Sequence, residues 1–223
     1  MGYSIFLCMA YPIAKIFLPP IYHLWLRKVE GIENVPKDKP FIIVANHASY
    51  YDALLMHSIL IPKINKKIYA LVNSFYWKPF ITRLFLVLGE CIPVYVEEEK
   101  NHKEKNKQAF EKALNYLKKG EIIEIFPEGK RSPDGKLQKA YTGVAKLALK
   151  AKVSVLPCGI IGSNKVLPRG ANLPKLTRCE VKIGKLMFFD KYYDKKYNKK
   201  VFEEVTRSIM KKIAKLINQE YNY

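Results

Sequence analysis

Short apolar runs alternate with longer amphipathic segments along most of this chain. Apolar runs bounded by turn residues are typical of buried strands, whereas apolar positions spaced by three or four residues predict helices. The predicted strands are residues 41–45, 68–72, 91–96, 122–126, 153–161 and 179–186, the last of them at an edge. The predicted helices are residues 51–60, 77–88, 104–119, 143–150 and 199–218. This alternation predicts a single α/β domain with a largely parallel sheet flanked by helices.

Three loops that follow predicted strands carry most of the polar side chains of interest. They are residues 46–52, 127–139 and 162–170. In parallel sheets, ligands bind beyond the carboxyl ends of the strands, where such loops emerge. The pattern therefore predicts a site at that end of the sheet.

The first loop contains a histidine and an aspartate that could act together. His47 follows a predicted strand, and Asp52 would lie about 140° away from it on a continuous helix. Ser49 is suited to begin the helix, which would let the carboxylate of Asp52 fold back towards the imidazole. A carboxylate on one ring nitrogen leaves the other to accept a proton from a hydroxyl. The spacing fits equally well an Asp52 that only caps the helix and a His47 that is an ordinary polar residue.

The second loop is rich in turn residues and in positive charge. Gly129 allows a tight turn, and Lys130 and Arg131 follow it directly. Arginine offers a planar fork of donors that matches a phosphate, and lysine supplies a mobile charge. A basic loop that is merely solvated is the alternative interpretation.

Two segments of the chain resemble motifs of the glycerolipid acyltransferase family, whose best-known members are 1-acylglycerol-3-phosphate acyltransferases. They are N-H-A-S-Y-Y-D at residues 46–52 and F-P-E-G-K-R-S at residues 126–132, separated by about 75 residues. The resemblance continues in Y-T-G-V-A at residues 141–145 and V-L-P-C-G-I at residues 155–160. It extends over roughly residues 28–170, which is most of the chain.

The resemblance implies roles for particular residues. His47 would be the general base and Asp52 its orienting partner, with Arg131 holding a glycerol phosphate. The residues implied in substrate binding are Asn46, Ser49, Glu128, Gly129, Lys130, Arg131 and Ser132.

Two positions depart from the family pattern. Lys130 replaces the commoner threonine, and no arginine follows the strand that begins at Cys91, where Tyr95, Val96 and Glu97 stand instead. That second departure leaves the exact acceptor open, with Arg83, Lys165 and Arg169 as candidate replacements.

The implied activity is transfer of a fatty acyl group from acyl-CoA or acyl carrier protein to 1-acyl-glycerol 3-phosphate, giving phosphatidic acid. No bound cofactor and no metal are expected, because the donor is a co-substrate. A related acyltransferase acting on glycerol 3-phosphate or an amino-lipid is the alternative within this class.

Charge and cysteine content bear on the partners. The formal net charge of +19 indicates an anionic partner, such as nucleic acid, anionic lipid or a phosphate-bearing substrate. No helix-turn-helix, zinc-finger or RNA-binding signature is visible, so we expect no nucleic-acid partner, although a non-catalytic nucleic-acid-binding protein remains the rival from another class. The cysteines form no C-x-x-C pair and are expected to be reduced, as in a cytoplasmic protein; they are Cys8, Cys91, Cys158 and Cys179.

Residues 1–26 form a strongly apolar segment that we expect to associate with membranes. Lys15 divides it into runs shorter than the ~20 residues that a spanning helix needs, and Pro12, Pro19 and Pro20 interrupt it. Two short helices dipping into one leaflet at the cytoplasmic face of the cell membrane fit better, in a peripheral or monotopic protein. Residues 27–223 would then be the catalytic domain. The alternative is an arm packed on the domain's own core.

Overall fold

The computed structural model describes residues 16, 20, 23–168, 170–171, 173–193 and 196–223. The membrane-associating helices predicted for residues 1–26 therefore lie almost wholly outside the described residues. Leu26, the last residue of that segment, begins the first strand. Among the helices that are described, none has the length and apolar character needed to cross a bilayer.

Seven strands and six α-helices make up the described part of the chain. The strands are β1 (Leu26–Glu30), β2 (Phe41–Ala45), β3 (Ile68–Asn73), β4 (Ile92–Val94), β5 (Ile122–Ile125), β6 (Ser154–Ile161) and β7 (Cys179–Ile183). The helices are α1 (Tyr51–Ile64), α2 (Phe80–Leu88), α3 (His102–Lys118), α4 (Gly143–Ala151), α5 (Ser163–Val166) and α6 (Lys199–Leu216). Short 3-10 helices lie at Ile32–Asn34, Ser74–Trp77 and Asp190–Tyr192.

The strands form one sheet in the order β1-β7-β6-β2-β5-β3-β4. All neighbouring strands are parallel except β6 and β7. The prediction of a single α/β domain with a largely parallel sheet is thus confirmed. The prediction that residues 179–186 form an edge strand is wrong, because β1 pairs with the outer side of β7.

The two faces of the sheet carry separate parts of the core. Every residue of β2 is buried, and alternate side chains enter opposite clusters. One cluster lies under α3, α4 and α6, and the other lies under α1. Burial on both faces explains why this strand is a continuous apolar run rather than an alternating one.

The predicted helix 77–88 is split in the structure. Its first residue belongs to the 3-10 helix Ser74–Trp77, and α2 begins only after Pro79. Proline lacks the amide hydrogen for an interior helical bond but is tolerated where a helix starts. None of the residues of α2 is buried.

Candidate active site

Two hydrogen bonds of the Asn46 side chain fix the position at which the first loop leaves the sheet. The Asn46 side chain is buried, its Nδ2 donates to the Ile160 carbonyl at 2.9 Å, and its Oδ1 accepts from the Ile160 amide at 2.7 Å. These two bonds tie the end of β2 to β6. Asn46 therefore positions the histidine that follows it, and substrate contact by Asn46 stays a prediction.

His47 and Asp52 meet as the histidine–aspartate pair that the sequence predicts. Nδ1 of His47 lies 2.9 Å from Oδ2 of Asp52, which is fully buried. The same oxygen accepts the backbone N–H groups of Ala48 and Ser49, each at 2.7 Å. Asp52 thus caps the start of α1 and binds the imidazole with one oxygen. Asp52 therefore does more than cap the helix, and the role of His47 as general base stays a prediction.

The imidazole keeps one nitrogen available for chemistry. A carboxylate is only an acceptor, so Nδ1 of His47 donates to Asp52 and Nε2 carries the lone pair. The His47 side chain is 21% exposed, whereas that of Asp52 is not exposed. Phe126 stacks on the ring, with centroids 4.3 Å apart. This arrangement suits a general base open to a substrate hydroxyl.

Residues of the second loop form hydrogen bonds with both the backbone amide and the backbone carbonyl of His47. The His47 amide donates to Oε1 of Glu128 at 3.1 Å, and the Ser132 amide donates to the His47 carbonyl at 2.7 Å. Oε2 of Glu128 accepts from the Gln138 amide at 3.1 Å. The buried Glu128 side chain therefore links the backbone of His47 to the backbone of the second loop.

Burial and backbone hydrogen bonds act on the pKa of the Glu128 carboxyl in opposite directions. Burial raises the pKa of the Glu128 carboxyl to about 7, and its bonds from the amides of His47 and Gln138 act in the opposite direction. A side chain this buried cannot contact a bound substrate without movement of the loop. Its contacts indicate a positioning role, and direct substrate binding stays a prediction.

The other residues of the second motif divide into turn-forming and exposed positions. Gly129 has a φ of +69°, and a Cβ there would lie 2.8 Å from the Tyr141 ring, so glycine is required. Ser132 is buried and its hydroxyl donates to Asp134 at 2.9 Å. Lys130 is exposed. Of these residues, only Lys130 has a side chain free to reach solvent.

Arg131 is held by two tyrosines rather than by an acid. Its guanidinium carbon lies 3.4 Å from the centroid of the Tyr50 ring, and one nitrogen donates to the Tyr76 hydroxyl at 3.2 Å. No acidic side chain forms an ion pair with Arg131 within the described ranges. Because a guanidinium has five donor hydrogens, the others remain available for an anionic ligand.

The third predicted loop completes the site. The Ser49 hydroxyl donates to the Leu167 carbonyl at 2.9 Å, and a Cβ on Gly135 would meet the Asn164 amide at 3.1 Å. All three loops therefore meet, as the sequence predicts. Lys165 is exposed on the third loop, whereas Arg83 lies on the outer surface of α2, and Arg169 is outside the described residues.

Several residues of the site are not apparent from the sequence. Tyr50 lies inside the first motif, but nothing in the sequence marks Tyr76 as a partner of Arg131. The C-terminal segment is also unmarked, although Gln219 accepts from the Leu137 amide and donates to the Gly135 carbonyl, each at 2.9 Å. Contacts between residues this far apart in sequence leave no local signal.

No cluster of three or more histidine, cysteine, aspartate or glutamate side chains suited to a metal occurs in the described part. The three cysteines with described positions are free and buried; they are Cys91, Cys158 and Cys179.

The fold and the site together define an α/β protein with a histidine–aspartate pair and a basic loop at the carboxyl ends of its parallel strands. Residues 26–161, more than half of the chain, match the family described as Acyltransferase. The chain belongs to this acyltransferase family.

Two acyltransferases of known name are similar in sequence to this chain. A chloroplastic 1-acyl-sn-glycerol-3-phosphate acyltransferase of Arabidopsis thaliana is 29% identical over 163 residues, which are 71% of this chain and 43% of that protein. A 1-acyl-sn-glycerol-3-phosphate acyltransferase of Borreliella burgdorferi is 28% identical over 146 residues, 63% of this chain and 55% of that protein. The chain thus spans about half the length of these relatives.

A solved structure shares the fold. It is the crystal structure of PlsC, a 1-acyl-sn-glycerophosphate acyltransferase from Thermotoga maritima, with a TM-score of 0.68 and 24% sequence identity. The match covers 96% of this chain and 81% of that one.

Proposed function

We propose that this protein transfers a fatty acyl group from acyl-CoA or acyl carrier protein to the free hydroxyl of 1-acyl-glycerol 3-phosphate. The product is phosphatidic acid for phospholipid biosynthesis. The observation that carries the proposal is His47 bound through Nδ1 to the buried Asp52, with its ring still partly exposed beside Arg131's loop. The named activity of the Arabidopsis and Borreliella relatives supports the choice of acceptor.

The site supports direct acyl transfer. Nε2 of His47 takes the proton from the acceptor hydroxyl, and the oxygen attacks the thioester carbonyl. The tetrahedral intermediate collapses, the carbon–sulfur bond breaks, and the thiolate takes the proton back from the imidazolium. Asp52 stabilises that imidazolium and keeps the ring oriented. A general base of this kind contributes about 10²–10⁴-fold in rate.

Arg131 would bind the acceptor phosphate. Its stacking on Tyr50 and its bond to Tyr76 fix the plane of the guanidinium while leaving donors unused. A planar cation held in this way matches a phosphate with little loss of side-chain entropy. The net charge of +19 would attract the anionic acceptor, a phosphate-bearing or acidic donor and anionic headgroups.

Membrane association at the cytoplasmic face would bring the site to its lipid acceptor. Residues 1–26 supply a largely apolar segment for this contact, with Lys15 as their single charged residue. In this proposal the segment lies in one leaflet, and the lysophospholipid keeps its acyl chain in lipid while presenting its hydroxyl to His47.

A transfer assay with radiolabelled acyl donors tests the proposal. Acyl-CoA and acyl carrier protein would each be offered with lysophosphatidate, glycerol 3-phosphate and an amino-lipid as acceptors. We expect labelled phosphatidic acid from lysophosphatidate at the highest kcat/KM. Preference for glycerol 3-phosphate or for the amino-lipid would assign the chain to a different acceptor within the family.

A further inference from the structure

Helix α2 exposes large apolar side chains to solvent. Phe80 is 80% exposed, and Ile81, Leu84 and Phe85 are between 43% and 68% exposed. Their spacing places all four within an arc of about 140° on the helix. Phe75, in the preceding 3-10 helix, is 59% exposed. A contiguous patch of this kind on a folded domain marks an interaction surface.

The same surface carries the cations Lys78 and Arg83, with one acid beside it, Glu99 of the next loop, which accepts from the Ser74 hydroxyl and lies close enough to Lys78 to act on it. Residues 74–89 contain no aspartate or glutamate, but they include Lys78 and Arg83. Lys78 lies 5.6 Å from the Phe75 ring, and Arg83 is exposed with no ion pair among the described residues. We call Phe75, Lys78, Phe80, Ile81, Arg83, Leu84 and Phe85 the α2 face. Its occupant must accept apolar side chains and supply negative charge.

The α2 face is tied directly to the candidate active site. The Thr82 hydroxyl donates to the Tyr76 carbonyl at 2.7 Å, and the Tyr76 hydroxyl accepts from Arg131 at 3.2 Å. The 3-10 helix that carries Tyr76 follows the carboxyl end of β3, the end of the sheet at which His47 lies. Whatever the α2 face contacts is therefore brought to the mouth of the acceptor site.

We propose that the α2 face docks on an anionic lipid bilayer as a second membrane contact, distinct from residues 1–22. Phe80, Ile81, Leu84 and Phe85 enter the boundary between headgroups and acyl chains, and Lys78 and Arg83 bind lipid phosphates. The inference rests on the proposed function in one respect, that the acceptor reaches Arg131 from the bilayer.

The charge of the α2 face favours an anionic bilayer over two other possible occupants, which are the N-terminal segment and a second copy of the chain. The N-terminal segment, residues 1–26, contains no acidic residue, so it has no counter-charge to offer Lys78 and Arg83. A second copy of a chain with a net charge of +19 would bring two cationic patches together. An anionic bilayer supplies both an apolar interior and negative charge at its surface.

The test is flotation of the full chain with vesicles of phosphatidylcholine, with and without phosphatidylglycerol. The variant carries Phe80→Gln and Phe85→Gln, and the matched control carries Phe188→Gln. Phe188 is 63% exposed and follows Met187, which bonds Val155 near the start of β6, at the opposite end of the sheet. The double variant should lose about tenfold in partition onto anionic vesicles, and the control should match wild type.

Further readouts identify the other occupants. Unchanged partition of the double variant would overturn the proposal. A lower thermal midpoint of the double variant without lipid would mean that the chain itself covers the α2 face. A wild-type dimer in lipid-free buffer that the substitutions dissociate would mean a contact between copies. Partition does not depend on turnover, so loss of partition in a protein without acyl transfer would keep the docking inference and refute only the proposed function.

Discussion

Among the individual residues of the site, Asp52 is central, because one of its carboxylate oxygens accepts hydrogen bonds from three donors. Oδ2 of Asp52 accepts from the Ala48 and Ser49 amides and from the His47 ring. A capping acid and an orienting acid are usually treated as alternatives, yet here the same geometry serves both. The turn that caps α1 is also the turn that brings the carboxylate under the imidazole, so sequence spacing alone could not separate the two roles.

Two substitutions at Asp52 separate these roles. Asp52→Asn keeps an oxygen for the two amides but removes the charge that stabilises the imidazolium, so kcat should fall about 100-fold while the thermal midpoint changes little. Asp52→Ala also removes the cap and should cost about 1–2 kcal/mol of unfolding free energy. Wild-type kcat in Asp52→Asn, measured with the labelled donor, would reduce Asp52 to a helix cap.

Arg131→Ala should raise the KM for the acceptor by about 10- to 100-fold and leave the KM for the acyl donor nearly unchanged. The reason is that the guanidinium has no acidic partner in the described part of the chain and is held in place by Tyr50 and Tyr76. Lys139→Ala removes an equal charge from an exposed position of the same loop and should change either KM by about twofold at most. A rise confined to the donor KM would assign the loop to the acyl carrier instead.

Among the secondary-structure elements, the sequence predicts strands that bury one or both of their faces, such as β7 and β2. β2 is a pure apolar run and is predicted with its observed bounds, whereas β1 has the sequence L-R-K-V-E and is not predicted. The charged side chains of β1 point away from the core at the sheet edge, so no apolar pattern marks it. The predicted helix 77–88 is split at Pro79 because proline has no backbone N–H to donate within a helix.

The loops of the site are predictable as loops, but their mutual contacts are not. The motif residues identify His47 and Asp52, yet the sequence assigns Glu128 to a substrate and the structure places it against the His47 amide. Similarly, no pattern indicates that Gln219 reaches Gly135 and Leu137. Such roles come from tertiary packing between residues more than 80 positions apart.

The C-terminal segment after α6 should therefore affect binding of the acceptor. Gln219→Ala removes two bonds to the second loop, at about 0.5–1.5 kcal/mol each, and should raise the acceptor KM several-fold with a smaller change in kcat. Asn222→Ala is the matched control, because its exposed amide bonds only the neighbouring Glu220 in the described structure. Equal kinetics for wild type and Gln219→Ala would remove this segment from the site.

In the whole molecule, the start of β1 and the candidate site lie at the same end of the sheet. β1 runs parallel to β7 and β7 antiparallel to β6, so the start of β1 lies beside the carboxyl end of β6. Leu26 pairs with Cys179, next to the pairing of Ile161 with Glu180. A membrane contact made by residues 1–22 would thus face the same bilayer as His47.

Deletion of residues 1–22 should weaken vesicle binding and reduce turnover on membrane-embedded lysophosphatidate, with much less effect on a short-chain soluble acceptor. The deletion must spare Trp25, whose carbonyl accepts from the Cys179 amide at 2.8 Å and whose ring contacts Tyr51. High salt should weaken wild-type binding only in part, because apolar contact persists. Wild-type binding by the truncated protein would show that this segment is not a membrane contact.

If His47 is the general base of acyl transfer to lysophosphatidate, as we propose, comparison of wild type with His47→Ala will show it. Both proteins would be assayed as full chains with labelled acyl-CoA and acyl carrier protein, lysophosphatidate and anionic vesicles. We predict labelled phosphatidic acid from wild type and a loss of at least about 100-fold in His47→Ala, with thermal midpoint and vesicle binding unchanged. Activity within about tenfold of wild type in a folded His47→Ala protein would mean that His47 is not the general base.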